Sequence, residues 1–208
     1  MPKRKNSQKY YRIIEAATRI FAEKGFFQAK VSDIAREAGV ADGTIYIYFE
    51  NKDDILISLF EEQIKVVLDN MIRDVSGEKG PIEKLRRFAL THLELIEKNK
   101  SMAEIIHVEL RQSSKFVKEY KNENFARYLD ILADIVREGQ EQGVFRRDVI
   151  PGVAKRAIFG ALDEMSRFWV LSSKREYDIK TAAEQISSYF IEGMSEKSAE
   201  GGALKTGS

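Results

Sequence analysis

Three hydroxyls crowd into "DGTIYIYF", residues 42–49: those of Thr44, Tyr46 and Tyr48. Each offers an O–H donor on a carbon body that can rest against a sugar, which suits the phosphate oxygens of a nucleic acid. Gly43 beside them permits a close backbone approach. Lys52 and the start of a helix near Asn51 add positive charge at the flank. An ordinary aromatic core would also use these residue types, and spacing decides between the two. With Ile45 and Phe49 turned inward, Asp42, Gly43, Thr44, Tyr46 and Ile47 share the opposite face of a short helix.

Catalytic chemistry has far less to work with. The chain has two histidines, His92 and His107, and no cysteine. Neither histidine belongs to an HExxH pattern, and neither a GxSxG elbow nor a phosphate-binding glycine loop is present. His107 and Glu109 are two positions apart and point away from each other on a helix. His92 reads as a surface or packing residue. The expectation is a binding protein with no catalytic residue, metal or cofactor.

Hydrophobic residues make up 43% and charged residues 32% of 208 positions, which is globular chemistry. The absence of cysteine fits a reducing compartment. No apolar signal-peptide core follows the basic start, and no apolar run approaches the roughly 18 residues of a membrane span, so a soluble cytoplasmic protein is expected. The net charge of +1 hides an asymmetry. Lys3, Arg4, Lys5, Lys9, Arg12, Arg19, Lys24 and Lys30 face only Glu15 and Glu23 in the first thirty residues, which suits contact with a polyanion.

The elements that must position these residues are all helical. Glycines separate segments of 3.6-residue periodicity, and strand-like alternation is missing. Ser7 is placed to cap a first helix carrying Ile13, Ile14, Ala17, Ile20 and Phe21, ended by Gly25. Ser32 is expected to open a second helix, closed by Gly39, and a very short third runs from about Asp42 to Phe49. A long helix starts near Asn51 and stops before Gly77, and Pro81 starts the next. Ser101 reads as the cap of a shorter helix, and a long one is expected from about Phe116 to Gln142. Pro151 and Asp178 open the last two. Residues 1–50 read as a helix-turn-helix unit, 51–196 as a larger helical domain and 197–208 as a loose tail. In the turn, Ile34, Ala38, Val40, Ile45 and Tyr48 all point inward if two helices meet steeply, with Ala35 small where the helices approach most closely and Gly39 free to take positive φ.

"AATRIFAEKGF" together with "VSDIAREAGVADGTIYIYFENKDDIL" resembles the TetR family of bacterial transcriptional regulators. The resemblance implies an all-α protein with an N-terminal module that binds double-stranded operator DNA and a second domain that binds a small effector and forms a homodimer. It places Thr44, Tyr48 and Lys52 on phosphates, Gly43, Tyr46 and Ile47 at base edges, and Lys30 and Ser32 near the backbone. Asp42 departs from phosphate-binding chemistry. It either caps the reading helix, the preferred expectation, or accepts from a cytosine amino group.

The later helices are more apolar than a dimerisation stalk needs. Phe60, Ile64, Phe88, Met102, Ile106, Leu110, Tyr128, Phe159, Leu162 and Trp169 either fill a core or line a long cavity. "HVELRQS" sets His107 and Arg111 four apart, and "GALDEMSRFW" does the same for Asp163 and Arg167. These are salt-bridge positions, or polar groups at the mouth of an apolar tunnel. "ADGTIYIYFENKDDILISLF", "ELRQS" and "IFGALDE" look like the fatty-acid-degradation repressors within the TetR family. That resemblance implies a long-chain acyl-CoA effector, with Arg111 and its neighbours at the ligand site. A drug or aromatic effector is the alternative, and an effector-free architectural DNA binder the third class. In the family the last two helices form a four-helix bundle with their two-fold mate, which assigns Ile158, Ala161, Met165, Ile186, Tyr189 and Phe190 to the dimer interface.

Overall fold

The computed structural model describes residues 7–98, 100–105, 122–172, 174 and 176–196. Nine helices lie among them: α1 Gln8–Gln28, α2 Val31–Ala38, α3 Asp42–Tyr48, α4 Lys52–Ser76, α5 Pro81–Lys98, α6 Lys100–Glu104, α7 Glu123–Glu141, α8 Pro151–Leu171 and α9 Ile179–Met194. The fold is all-α; the single β feature among the described residues is an isolated bridge between Phe145 and Ser195.

Local chemistry sets most helix ends. Ser7 accepts from the Tyr10 N–H at 3.2 Å, Asn51 from Asp54 at 2.9 Å, Asn122 from Phe125 at 2.8 Å and Asp178 from Thr181 at 2.7 Å. Gly25, at φ +73°, breaks the helical path of α1, and Gly39 closes α2 at φ +64°.

Three expected starts differ. Lys30, not Ser32, is the N-cap of α2: its N–H donates to Asp33 Oδ2 at 3.4 Å, so the acid in the third helical position reaches back while Ser32 lies in the first turn. Lys24 holds Asp33 from the α1 side at 3.0 Å and, with Arg36, keeps its carboxyl below the usual range. Asp42 does not cap α3. Ala41 takes the extended backbone of the cap, so Asp42 is already the first helical residue. Ser101 lies inside α6, which begins at Lys100. The helix expected from Phe116 appears as α7 with Asn122 as its cap; residues 116–121 lie outside the described residues.

Two packed regions share α4. The first consists of α1, α2 and α3 around Ile13, Ala17, Phe21, Ile34, Ala38 and Ile45, with Val40 and Tyr48 half-buried at its edge. Tyr10 stacks on Phe49 with ring centres 5.5 Å apart. Along α4, all of Ile55–Phe60 is buried, because the first turns carry neighbours on every side. Beyond them only the stripe Ile64, Leu68, Met71 and Val75 is buried, the pattern of a helix packed on one face. That stripe packs on α5 and α7; α9 lies along α5, α8 along α7, and α6 touches α1, α5 and α8. Among the described residues no helix is long and apolar enough to cross a membrane.

Candidate nucleic-acid interface and buried aromatic cluster

The turn between α2 and α3 presents α3 outward. Ile45 is buried under it, while Gly43, Tyr46 and Ile47 are exposed, Tyr46 by 59% and Ile47 by 52%. Two large apolar side chains held in solvent on one turn, beside a glycine with open space where a Cβ would stand, make a surface shaped for a partner. Asp42 shares this face, and Thr44 is half-buried at its margin. Lys30 and Ser32 are exposed at the start of α2, which packs on α3. A helix presented by a tight turn with an exposed reading face has the dimensions of the major groove.

Tyr48 and Lys52 are placed differently from expectation. The Tyr48 hydroxyl accepts from Ser7 Oγ at 3.0 Å, which ties α3 to the start of α1 and leaves the ring half-buried. Lys52 turns inward. Its ammonium donates to the carbonyls of Phe26 at 2.5 Å, Phe27 at 3.2 Å and Ala29 at 3.0 Å, and it stands 4.5 Å from the centre of the Phe26 ring. An ammonium has three protons, and three carbonyls take them, so this geometry opposes a direct phosphate contact. The sequence hid this because a lysine one turn past a reading helix looks solvated; its partners lie 23–26 positions earlier in the chain.

The second region centres on aromatic rings from four helices. Phe60 meets Phe125 at 6.0 Å, Phe125 meets Phe159 at 5.5 Å, Phe159 meets His92 at 5.7 Å, and Phe88 meets Tyr128 at 5.2 Å. His92 Nδ1 lies 2.6 Å from the Tyr128 hydroxyl. Burial, and then the Asp163 carboxylate, push the Tyr128 phenol above its usual range, so it stays protonated and can donate to the imidazole. His92, expected as a surface or packing residue, is therefore a member of this cluster, and so is Phe125. The one available signal was the four-residue spacing of Phe88 and His92 on an apolar face.

Of the expected effector residues, Phe60, Ile64, Phe88, Met102, Tyr128, Leu162 and Trp169 are buried, and Phe159 and Asp163 half-buried. Arg167 is bound to Glu164, three residues before it on α8, at 2.6 and 2.9 Å, and the Asp163 carboxylate acts on it as well. Ile106, His107, Leu110 and Arg111 lie outside the described residues.

Among the charged and polar side chains on the outer faces of α8 and α9, several large apolar ones remain: Val153, Phe168, Leu171 and Tyr189 are exposed, and Ala161, Met165 and Phe190 half-buried. Ile158 and Ile186 do not belong to that face. They are buried within the protomer, on the stripes that also carry Ala154 and Leu162 or Ala182 and Ala183.

Residues 13–59 match the family described as bacterial regulatory proteins, tetR family. Residues 60–193 match the YsiA-like protein C-terminal region. The chain belongs to the TetR family. Within it, the chain is 37% identical over 189 residues to a fatty acid metabolism regulator protein of Bacillus subtilis, covering 91% of this chain and 97% of that one. The structure resembles the B. subtilis transcriptional regulator FadR in complex with stearoyl-CoA: TM-score 0.80, 37% identity, covering 89% of this chain and 99% of that one. The fatty acid degradation regulator FadR of Bacillus halodurans gives a TM-score of 0.81 at 36% identity, over 90% and 97% of the two chains. In TetR terms, α2 and α3 are the helix-turn-helix, and the aromatic cluster lies in the C-terminal helical domain.

Proposed function

We propose that this chain is a homodimeric transcriptional repressor of fatty acid degradation genes, released from its operator by long-chain acyl-CoA. Near-full-length similarity to a fatty acid metabolism regulator, and to a FadR structure holding stearoyl-CoA, carries this reading. Residues 1–50 read DNA, and residues 51–196 bind the effector and form the dimer. Gly43, Tyr46 and Ile47 meet base edges, while Thr44, Lys30 and Ser32 hold the sugar-phosphate chain. The aromatic cluster takes the acyl chain, and His107 and Arg111 serve its phosphorylated head group. The protein acts in the cytoplasm, without catalysis.

The mechanism is a shift between two arrangements. Residue Met102 of α6 belongs to the effector-binding set, and α6 also touches α1 of the reading unit. Acyl-CoA binding therefore pushes on the reading unit through α6 and on α4 through Phe60 and Ile64. In the competent state the two reading helices sit about 34–36 Å apart, in successive major grooves of a palindromic operator. A coupling of about 1–3 kcal/mol suffices to release it.

Native mass spectrometry of the freshly purified protein tests the binding step: the reading expects a dimer that takes up stearoyl-CoA. Arg111→Ala should weaken that uptake about tenfold or more and leave operator affinity unchanged. A dimer indifferent to acyl-CoA would return the effector to the drug or aromatic class. The dimer face has its own test. Tyr189→Asp puts a charge on each side of an apolar contact, and sedimentation should then show monomer at concentrations where the parent is dimeric; an unchanged dimer would place the interface elsewhere.

A further inference from the structure

We propose that Lys52 is a positioning residue that rivets the reading unit to α4, so that both helices of the helix-turn-helix follow any tilt of α4 as one body. Lys52 is the first residue of α4, and its ammonium holds three carbonyls at the end of α1 and in the link to α2. A cation at the carbonyl-bearing end of a helix is favourable, and the break at Gly25 turns these groups toward it. The next residue after Ala29 is Lys30, the cap of α2, and with Ser32 it belongs to the surface proposed to meet the phosphate chain.

A second tie lies ten residues along α4, where the Tyr10 hydroxyl donates to Glu62 Oε1 at 3.4 Å. Tyr10 also stacks on Phe49, just before α4. The long helix α1 is thus held to α4 near both its ends, at Lys52 and at Glu62. The reading unit and the first turns of α4 move together, and the flexing point falls beyond Glu62, where burial of α4 narrows to one stripe. Without Lys52, α3 would still follow α4 through the chain, while the end of α1 and the link to α2 would lose their direct tie to it. The inference rests on operator binding by this chain and not on the identity of the effector.

The test is operator affinity across a range of salt concentrations for the parent, Lys52→Met and Lys52→Arg dimers. Lys52→Met should lose about tenfold in affinity, the scale of a coupling residue remote from the ligand. Its slope of log affinity against log salt should equal the parent's, and Lys52→Arg should recover most of the loss. A slope shallower by about two, one phosphate per protomer, would make Lys52 a phosphate ligand and overturn the proposal. So would unchanged affinity in Lys52→Met. The parent protein supplies a reading that needs no variant: acetic anhydride labelling of Lys52 should be suppressed equally with and without operator. Labelling in the free dimer that operator DNA blocks would also overturn the proposal.

Discussion

Gly43→Glu leaves the dimer folded and abolishes operator binding, weakening it by about a hundredfold or more. Apart from its chain neighbours and its own helix backbone, no atom lies within 4 Å of the place where a Cβ would stand on Gly43, so the fold has room for the side chain. The room is on the exposed face of α3, between Asp42 and the pair Tyr46 and Ile47. In the proposed complex with operator DNA that space belongs to the groove. A carboxylate there adds bulk where backbone must approach and negative charge where phosphates already stand, and a like-charge contact costs several kcal/mol. The dimer carries two copies, which compounds the loss. Fluorescence anisotropy on labelled operator, beside a thermal melt, checks both halves. Parent-like affinity would remove α3 from the interface; a large fall in melting temperature would mean that the fold itself had failed.

Gly139→Ala should destabilise the protein by about 3 kcal/mol, the upper end of what overpacking a core usually costs. A Cβ on Gly139 would stand 2.0 Å from Cδ2 of Phe145, 2.6 Å from Cε2 and 2.8 Å from Cγ. The ring is wholly buried and its backbone cannot give way easily. The N–H groups of Val144 and Phe145 donate to the Gly139 carbonyl at 2.8 and 3.0 Å, and the Arg146 N–H donates to Met194 at 2.8 Å. Gln140 Nε2 then holds the carbonyls of Arg146 and Val149 at 2.9 and 2.8 Å. For a chain of this size the melting temperature should fall by about 6–12 °C. Phe145→Leu in the same chain should restore part of it. An unchanged melt would show that the link between α7 and α8 repacks without strain.

Helix ends were legible wherever one residue does the work alone. Ser7, Asn51 and Asp178 cap as their types predict, and Pro81 and Pro151 open α5 and α8. They failed where the backbone and a distant side chain share the task. Asp33 serves the cap of α2 because Lys24 and Arg36 hold it, and nothing at Ser32 reveals that. The face of α3 was legible because seven residues leave little choice of which side is buried once Ile45 is inside. Lys52 was misread because its partners are carbonyls, which carry no sequence signal. Ile158 and Ile186 were misassigned for a related reason: a two-faced apolar helix shows that two faces exist, not which belongs to the protomer. His92 could not be placed until α7 brought Tyr128 against it.

In the proposed switch, acyl-CoA and operator DNA compete through the fold. This competition is tested by selecting the operator from random duplexes with the purified dimer, then titrating stearoyl-CoA into the preformed complex. Stearoyl-CoA should release the operator fully and coenzyme A alone not at all, since it has the head group but no chain to enter the aromatic cluster. A complex that stays intact in saturating stearoyl-CoA, or falls apart equally with coenzyme A, would contradict the switch.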